Sequence, residues 1–292
     1  MRKNSVPEIR SDFSSVDPLK IMLLSLLLLV LFSPTLLGLI RVWNLNPDYS
    51  HGFFVIPIAL FMVWQKRQHI LNLPQKPLWA GLPVLIIGIA IYYIGFITRF
   101  HTLMHLSMIF VILGLLLFLC GWQRTRAVFF PILFLLFMFP IPSAYYILIT
   151  NPLKLLVTDF SVQIIRIFGI PVFQEGNLLF FANTQLEVAE ACSGIRSLYS
   201  YLMLGCLFAM LSKQLWVKII LIFSTVPLAL FVNIVRVTIT GILSNLYGPA
   251  VAQGFFHEFT GFLLFAIGLV LLFGEFYLLD FKETQHPTQA RF

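Results

Sequence analysis

Charge is scarce in this chain. Of its 292 residues only 11% are charged and 59% are hydrophobic, with a mean hydropathy of +0.93, which excludes a soluble globular domain and indicates a polytopic helical membrane protein. Three cysteines, Cys120, Cys192 and Cys206, are too few for a disulfide framework, and Cys120 and Cys206 sit inside apolar runs where packing is the default role. The formal charge of +7 comes with no basic stripe of interleaved aromatics, so no nucleic acid is expected as a partner. There is no internal repeat and no low-complexity segment. The polar N-terminus, Met1 to Lys20, precedes an apolar run from Ile21 to about Ile40 that is too long for a signal-peptide core and shows no small-residue cleavage site.

At about 20 apolar residues per span, the hydropathy pattern predicts an all-α polytopic membrane helix bundle of about eight transmembrane helices. They fall near 21–40, 50–65, 79–98, 103–121, 127–147, 194–211, 216–235 and 257–279. The second is short, and Pro131, Pro140 and Pro142 kink the fifth or end it early. A single integral membrane domain over 1–292 is expected, with tails at 1–20 and 281–292 on one side. Of the 19 basic residues, only Arg41, Arg99, Lys154, Arg166, Arg196 and Arg236 fall on the other side of such a bundle. The positive-inside rule then puts both termini in the cytoplasm of an inner-membrane protein.

The longest stretch between spans, 148–191, is therefore extracytoplasmic. Over 152–168, Leu155, Leu156, Phe160, Ile164 and Ile167 alternate with Lys154, Thr158, Asp159, Gln163 and Arg166 at helical spacing, which predicts a helix lying in the interface. Gly169-Ile170-Pro171 ends it. Turn residues at Glu175-Gly176-Asn177 and Ala182-Asn183-Thr184 divide the next short apolar runs, as in a small hairpin over the outer mouth.

Polar residues gather at three span boundaries: Glu190-Ala191-Cys192-Ser193-Gly194-Ile195-Arg196-Ser197, Asn233-Ile234-Val235-Arg236, and Phe256-His257-Glu258. The predicted topology puts Cys192, Arg236 and His257 at one outer depth. A thiolate at a helix N-terminus is stabilised by unpaired backbone N–H groups and a nearby cation, which makes Cys192 the candidate nucleophile. An imidazole that takes the thiol proton and returns it to the leaving amine makes His257 the candidate acid–base. A guanidinium that holds an oxyanion or carboxylate with two parallel donors, as lysine cannot, makes Arg236 the third member. Taken singly, each has a plain alternative: a packing cysteine, a snorkelling arginine and a helix-end histidine.

Weaker candidates for substrate contact are Arg196, Glu190, Asn233, Glu258 and His51. His51 lies in Tyr49-Ser50-His51-Gly52, which a loop turn explains equally well. Glu187, Glu190 and Glu258 bind a polar part of a substrate, orient His257 or are simply hydrated. His101 and His105 are one helical turn apart, but no nearby Cys, Asp or Glu completes a metal site. His257-Glu258 begins a zinc-protease pattern, yet position 261 is glycine where the second histidine belongs. Neither a Gly-x-Ser-x-Gly elbow nor a pair of intramembrane aspartates is present. No cofactor or metal is called for.

Together these segments resemble the exosortase/archaeosortase family of membrane transpeptidases. Glu190 to Ser197 is similar to its cysteine motif. Asn233-Ile234-Val235-Arg236-Val237 through Thr240-Gly241 is similar to its arginine motif, and Phe255-Phe256-His257 with Gly261 to its histidine motif. Tyr49-Ser50-His51-Gly52 followed by Trp64-Gln65-Lys66-Arg67 is similar to its N-terminal signature. The resemblance covers residues 20–280. It implies a cysteine peptidase/transpeptidase acting on exported proteins that carry a C-terminal sorting signal: a short motif such as Pro-Glu-Pro, a transmembrane helix and a basic cluster. By that pattern Cys192 attacks near the short motif, His257 and Arg236 assist, and the acyl-enzyme passes to an envelope lipid or polysaccharide acceptor. The competing classes are a membrane transporter, with Arg236 and His257 along an anion or proton path, and a scaffold subunit of a polysaccharide export or assembly system.

Overall fold

A computed structural model describes the backbone of residues 18–182, 184–188, 195–248 and 255–285, and the side chains of 19, 22–182, 184–188, 196–248 and 259–280. The described chain is helical throughout except for one small sheet. Helices α1 (Pro18–Leu45), α2 (Gly52–Gln65), α3 (Arg67–Asn72), α4 (Gly81–Thr98), α5 (His101–Phe134) and α6 (Ser143–Ile167) precede strands β1 (Phe173–Glu175), β2 (Leu178–Phe180) and β3 (Gln185–Glu187). Helices α7 (Ile195–Leu211), α8 (Leu215–Tyr247) and α9 (Phe255–Gln285) follow. Among the described residues six helical stretches are long and apolar enough to cross a membrane: Met22–Leu45, Gly81–Thr98, His101–Met138, Ser143–Ile167, Leu215–Tyr247 and Phe259–Asp280. A polytopic all-α membrane bundle is thus the architecture, and one of the six stretches, His101–Met138, takes in both the expected fourth and fifth spans. The expected second span is the 14-residue α2, which at 1.5 Å per residue covers only about 21 Å of a roughly 30 Å hydrocarbon layer.

The chain divides into two compact units, one of residues up to Leu45 with Gly52–Phe139, the other of Asn46–His51 with everything from Pro140. In the first unit α4 and α5 form a close antiparallel pair. Gly81, Gly88 and Gly95 recur every seven residues on α4, and a Cβ at Gly88 would lie 2.8 Å from the Val111 side chain and 2.9 Å from its backbone nitrogen. Without side chains there, the two backbones approach closely enough for dispersion to hold them, the usual means of helix association where lipid is as apolar as leucine. The expected boundary between the fourth and fifth spans is a sharp break inside α5 at Gly121 (φ 79°, ψ 178°). A left-handed φ favours glycine, and the Lys76 carbonyl occupies the space a Cβ would need. Helix α5 then runs to Phe134 and a 3₁₀ turn to Met138, and Pro140-Ile141-Pro142 ends the element well before the expected residue 147. Trp43 seats α1 by donating from Nε1 to the Met138 carbonyl (3.0 Å), and the Tyr92 hydroxyl donates to the Leu31 carbonyl (2.9 Å).

The second unit corrects the expectation for 152–168. Helix α6 is a continuous 25-residue element that is long and apolar enough to span, and its buried face is not the apolar stripe. Val157, Thr158, Ser161, Val162 and Ile165 are buried, while Leu155, Leu156, Phe160 and Ile167 are exposed. Small and hydroxyl-bearing residues face the protein because they pack closely and bond across helices, while the large apolar ones are left for lipid. Ser161 Oγ donates to the Ile234 carbonyl of α8 (3.2 Å). The region after α6 is a three-stranded antiparallel meander rather than a two-stranded hairpin, with Phe173 opposite Phe180 and Leu178 opposite Glu187. Its first turn contains Gly176 at φ 60°, one of the two expected turn sites. Leu179, Phe181 and Val188 pack with Val157 and Ile165 of α6 and Val237 of α8. A second cluster joins Tyr201 of α7, Leu221 and Val232 of α8, and Leu264 and Leu272 of α9.

Candidate functional site

Cys192 and Glu190 lie outside the described residues, but the chain on either side of them is held firmly. Upstream, Val188 is 1% exposed, its N–H donates to the Asn177 carbonyl (2.9 Å), and Asn177 Nδ2 donates to its carbonyl (3.2 Å). Downstream, α7 begins at Ile195, and Arg196 in its first turn is captured by Asp48. Arg196 Nη2 lies 2.7 Å and Nε 2.8 Å from Asp48 Oδ1. The other carboxylate oxygen, Oδ2, accepts from the Tyr146 hydroxyl of α6 (3.0 Å). Asp48 is itself set by the 3₁₀ turn Pro47–Tyr49, where Asn46 Oδ1 caps the Asp48 N–H (2.9 Å) and Pro47 presets the backbone. One carboxylate thereby joins the Asn46–His51 segment, the start of α6 and the start of α7. Tyr49 is buried, and desolvation raises its hydroxyl above the usual tyrosine range, opposed by a backbone hydrogen bond from Ile141. His51 is half-buried, with its ring 5.3 Å from that of Tyr199 and 6.5 Å from that of Tyr49. The space enclosed by Asp48, Tyr49, Ile141, Tyr146, Arg196 and Tyr199 is about 10 Å³, room for one water at most. Arg196, a candidate for substrate contact by its sequence, is engaged in this ionic junction while its side chain stays 46% exposed.

Arg236 does not end its helix. Helix α8 continues to Tyr247, three more turns or about 16 Å, because Val237-Thr238-Ile239-Thr240 holds nothing that breaks a helix and a span length fixes only a minimum. Asn233, one turn earlier on the same face, is 1% exposed, so its amide is committed to the interior. The guanidinium of Arg236 lies against the backbone of α9 at Gly261: a Cβ there would stand 3.0 Å from Nη2, 3.1 Å from Cζ and 3.3 Å from Nε. Only glycine leaves that surface open. His257 is one turn earlier in α9 on the same helical face as Gly261. Its side chain, like that of Glu258, lies outside the described residues. The arginine and histidine segments, separated in sequence by the α8–α9 connection, thus meet at Gly261.

The remaining candidates serve packing. His105 is 6% exposed and its ring stacks on Phe139 at 5.1 Å; Cys206 is buried at 9%. Glu187 is in β3, where Asn177 Nδ2 reaches its carboxylate (3.4 Å). Sequence reasoning passed over Asp48 and Tyr146. The Asn-Pro-Asp turn signal just before Tyr49 was visible, but the partner Arg196 lies 148 positions away.

The described chain is a membrane helix bundle in which a half-buried arginine rests against a glycine of the helix that carries His257. The family model for transmembrane exosortases matches residues 43–274, and the chain belongs to that family. No curated protein and no solved structure matches it.

Proposed function

We propose that this exosortase is a membrane-embedded cysteine peptidase/transpeptidase that cleaves the C-terminal sorting signal of exported proteins through a Cys192 thioester. The observation that carries this reading is the seating of the Arg236 guanidinium on Gly261, one turn from His257. In a chain this apolar, an arginine part-way along a membrane helix is costly unless it has a purpose and a partner, and here its planar fork reaches the helix that bears the proposed acid–base.

In the proposed mechanism the helix N-terminus and nearby cations favour the thiolate of Cys192, three residues before the start of α7, once its proton leaves. His257 takes the thiol proton. The sulfur attacks the carbonyl of the scissile peptide, and the negative charge that develops on oxygen is held by Arg236 through two parallel donors. Collapse of the tetrahedral intermediate breaks the C–N bond, with His257 returning the proton to the leaving amine, and leaves the exported protein as a thioester on Cys192. Water or an envelope nucleophile, a lipid or a polysaccharide, then releases it. Both termini lie in the cytoplasm and the site at the extracytoplasmic face, so a substrate helix enters sideways from the bilayer with its basic tail remaining inside.

Co-expression with a protein carrying a sorting signal tests this. Cys192→Ala abolishes processing, read as the mass of the mature C-terminus, while Cys120→Ala and Cys206→Ala do not. Arg236→Lys loses most activity although it keeps the charge. Normal maturation by the Cys192 variant would refute the nucleophile assignment.

A further inference from the structure

The first unit carries a cleft that plays no part in the proposed reaction. It has a volume of about 680 Å³ and opens between the α2–α3 junction and the part of α5 beyond the Gly121 break, lined by Lys66, His69, Trp122, Gln123, Arg126 and Phe130. Its wall is built deliberately. Arg124 donates to the carbonyls of Leu73 (2.9 Å) and Leu71 (3.3 Å) and to Gln75 Oε1 (3.0 Å), and Gln75 Nε2 donates to the Leu119 carbonyl (3.1 Å). That clamp fixes the chain after α3 against α5, and Arg126, two residues on, lines the cleft instead.

Two observations say what fits there. First, no aspartate or glutamate occurs anywhere from Tyr49 to Thr158, although Lys66, Arg67, Lys76, Arg99, Arg124 and Arg126 all fall in that stretch. Carboxylates that could balance the cleft lie outside it, and a basic peptide would be repelled. Second, Trp64, Trp79 and Trp122 are 58%, 76% and 59% exposed, and Arg67 lies over the Trp64 ring at 4.2 Å. Exposed tryptophans beside basic residues at the ends of apolar helices mark the depth of lipid headgroups. A cleft at that depth, with Trp122, Arg126 and Phe130 one turn apart along α5 on one wall and Lys66 and His69 across from them, matches a phosphate joined to an apolar tail.

We propose that this cleft binds the headgroup of an anionic phospholipid, its phosphate held by Lys66 and Arg126 and its glycerol–acyl boundary against Trp122 and Phe130. The site orients one lipid against the first unit, and it does not depend on the reaction assigned above.

The full-length protein, delipidated in detergent and offered phosphatidylglycerol against phosphatidylcholine of the same acyl chains, gives a preference ratio from retained lipid by native mass spectrometry. Each cation close to an anionic headgroup contributes about fivefold, so Lys66→Gln with Arg126→Gln lowers the ratio by roughly 25-fold, while Arg99→Gln, an exposed cation elsewhere in the unit, leaves it unchanged. Should the double variant fail to fold, Arg126→Gln alone replaces an exposed residue and lowers the ratio about fivefold. An equal loss from Arg99→Gln, an unchanged ratio in the cleft variants, or displacement of phosphatidylglycerol by millimolar inorganic phosphate would each overturn the assignment, the last by making the ligand a soluble phosphate.

Discussion

Replacing Gly261 by alanine separates the stability of the bundle from the placement of Arg236. The added methyl would stand 3.0 to 3.3 Å from three atoms of the guanidinium, closer than ordinary carbon contact, so the guanidinium retreats by a few tenths of an ångström while the helices stay in place. On the folding side the change is neutral or favourable, because alanine in a helix interior is worth about 1 kcal/mol over glycine. On the activity side, a well-aligned charge-assisted hydrogen bond is worth up to about 3 kcal/mol, and misaligning it forfeits roughly half. That is about 1.4 kcal/mol, a tenfold fall in kcat, with little change in KM because the proposed Arg236 bond is made to charge that develops only in the transition state. The assay is the processing rate of a purified sorting-signal protein, with thermal unfolding measured on the same preparation. Expected is a variant at least as stable as the parent and about tenfold slower. In an Arg236→Lys background the same substitution should cost almost nothing more, since the shared interaction is already gone. Wild-type turnover by Gly261→Ala, or a loss that tracks a lowered Tm, would refute the placement argument.

Asp48→Asn breaks the junction with Arg196. Because Arg196 is nearly half exposed (46%), screening limits the stability loss to about 1 kcal/mol, but alkylation of Cys192 should slow and processing should fall. The exchange Asp48→Arg with Arg196→Asp should recover part of both, and no recovery would mean that Arg196 serves by its charge and not by its pairing. Gly268→Ala drives a methyl into the hydroxyl of Tyr201, which is fully buried, donates to the Phe265 carbonyl (3.0 Å) and stacks on the Phe265 ring at 5.1 Å. Overpacking plus the lost hydrogen bond predicts a destabilisation of about 2–4 kcal/mol, read as a lowered Tm. Tyr201→Phe, by removing the obstructing oxygen, should restore most of it; an additive double variant would show that the clash lies elsewhere.

How much of this was legible in the sequence depends on which physical quantity a residue reports. Hydropathy marked the membrane class and came within two or three residues of the starts of α2, α4, α7, α8 and α9, because a run of apolar side chains in lipid must satisfy its backbone internally and becomes a helix. The Gly176 turn was readable because its signal is local. Helix ends were less so: α8 outruns its predicted end by three turns and α5 breaks at Gly121, since length alone sets only a lower bound on a span. The inward face of α6 was misread for a chemical reason. The periodicity argument assumes water outside, and in lipid the apolar stripe over Leu155, Phe160 and Ile167 faces outward while Ser161 and Thr158 face the protein.

By itself the sequence determined that this is a helical membrane protein, and its motifs pointed to the exosortase family through Cys192, Arg236 and His257, because composition and short-range spacing are written directly in the order of residues. Tertiary structure decided that the Arg236 guanidinium rests on Gly261, that Asp48 holds Arg196 and Tyr146 together, and that Lys66 and Arg126 share one cleft. Each joins residues from different helices, and their meeting depends on how those helices pack against one another, which local spacing does not encode.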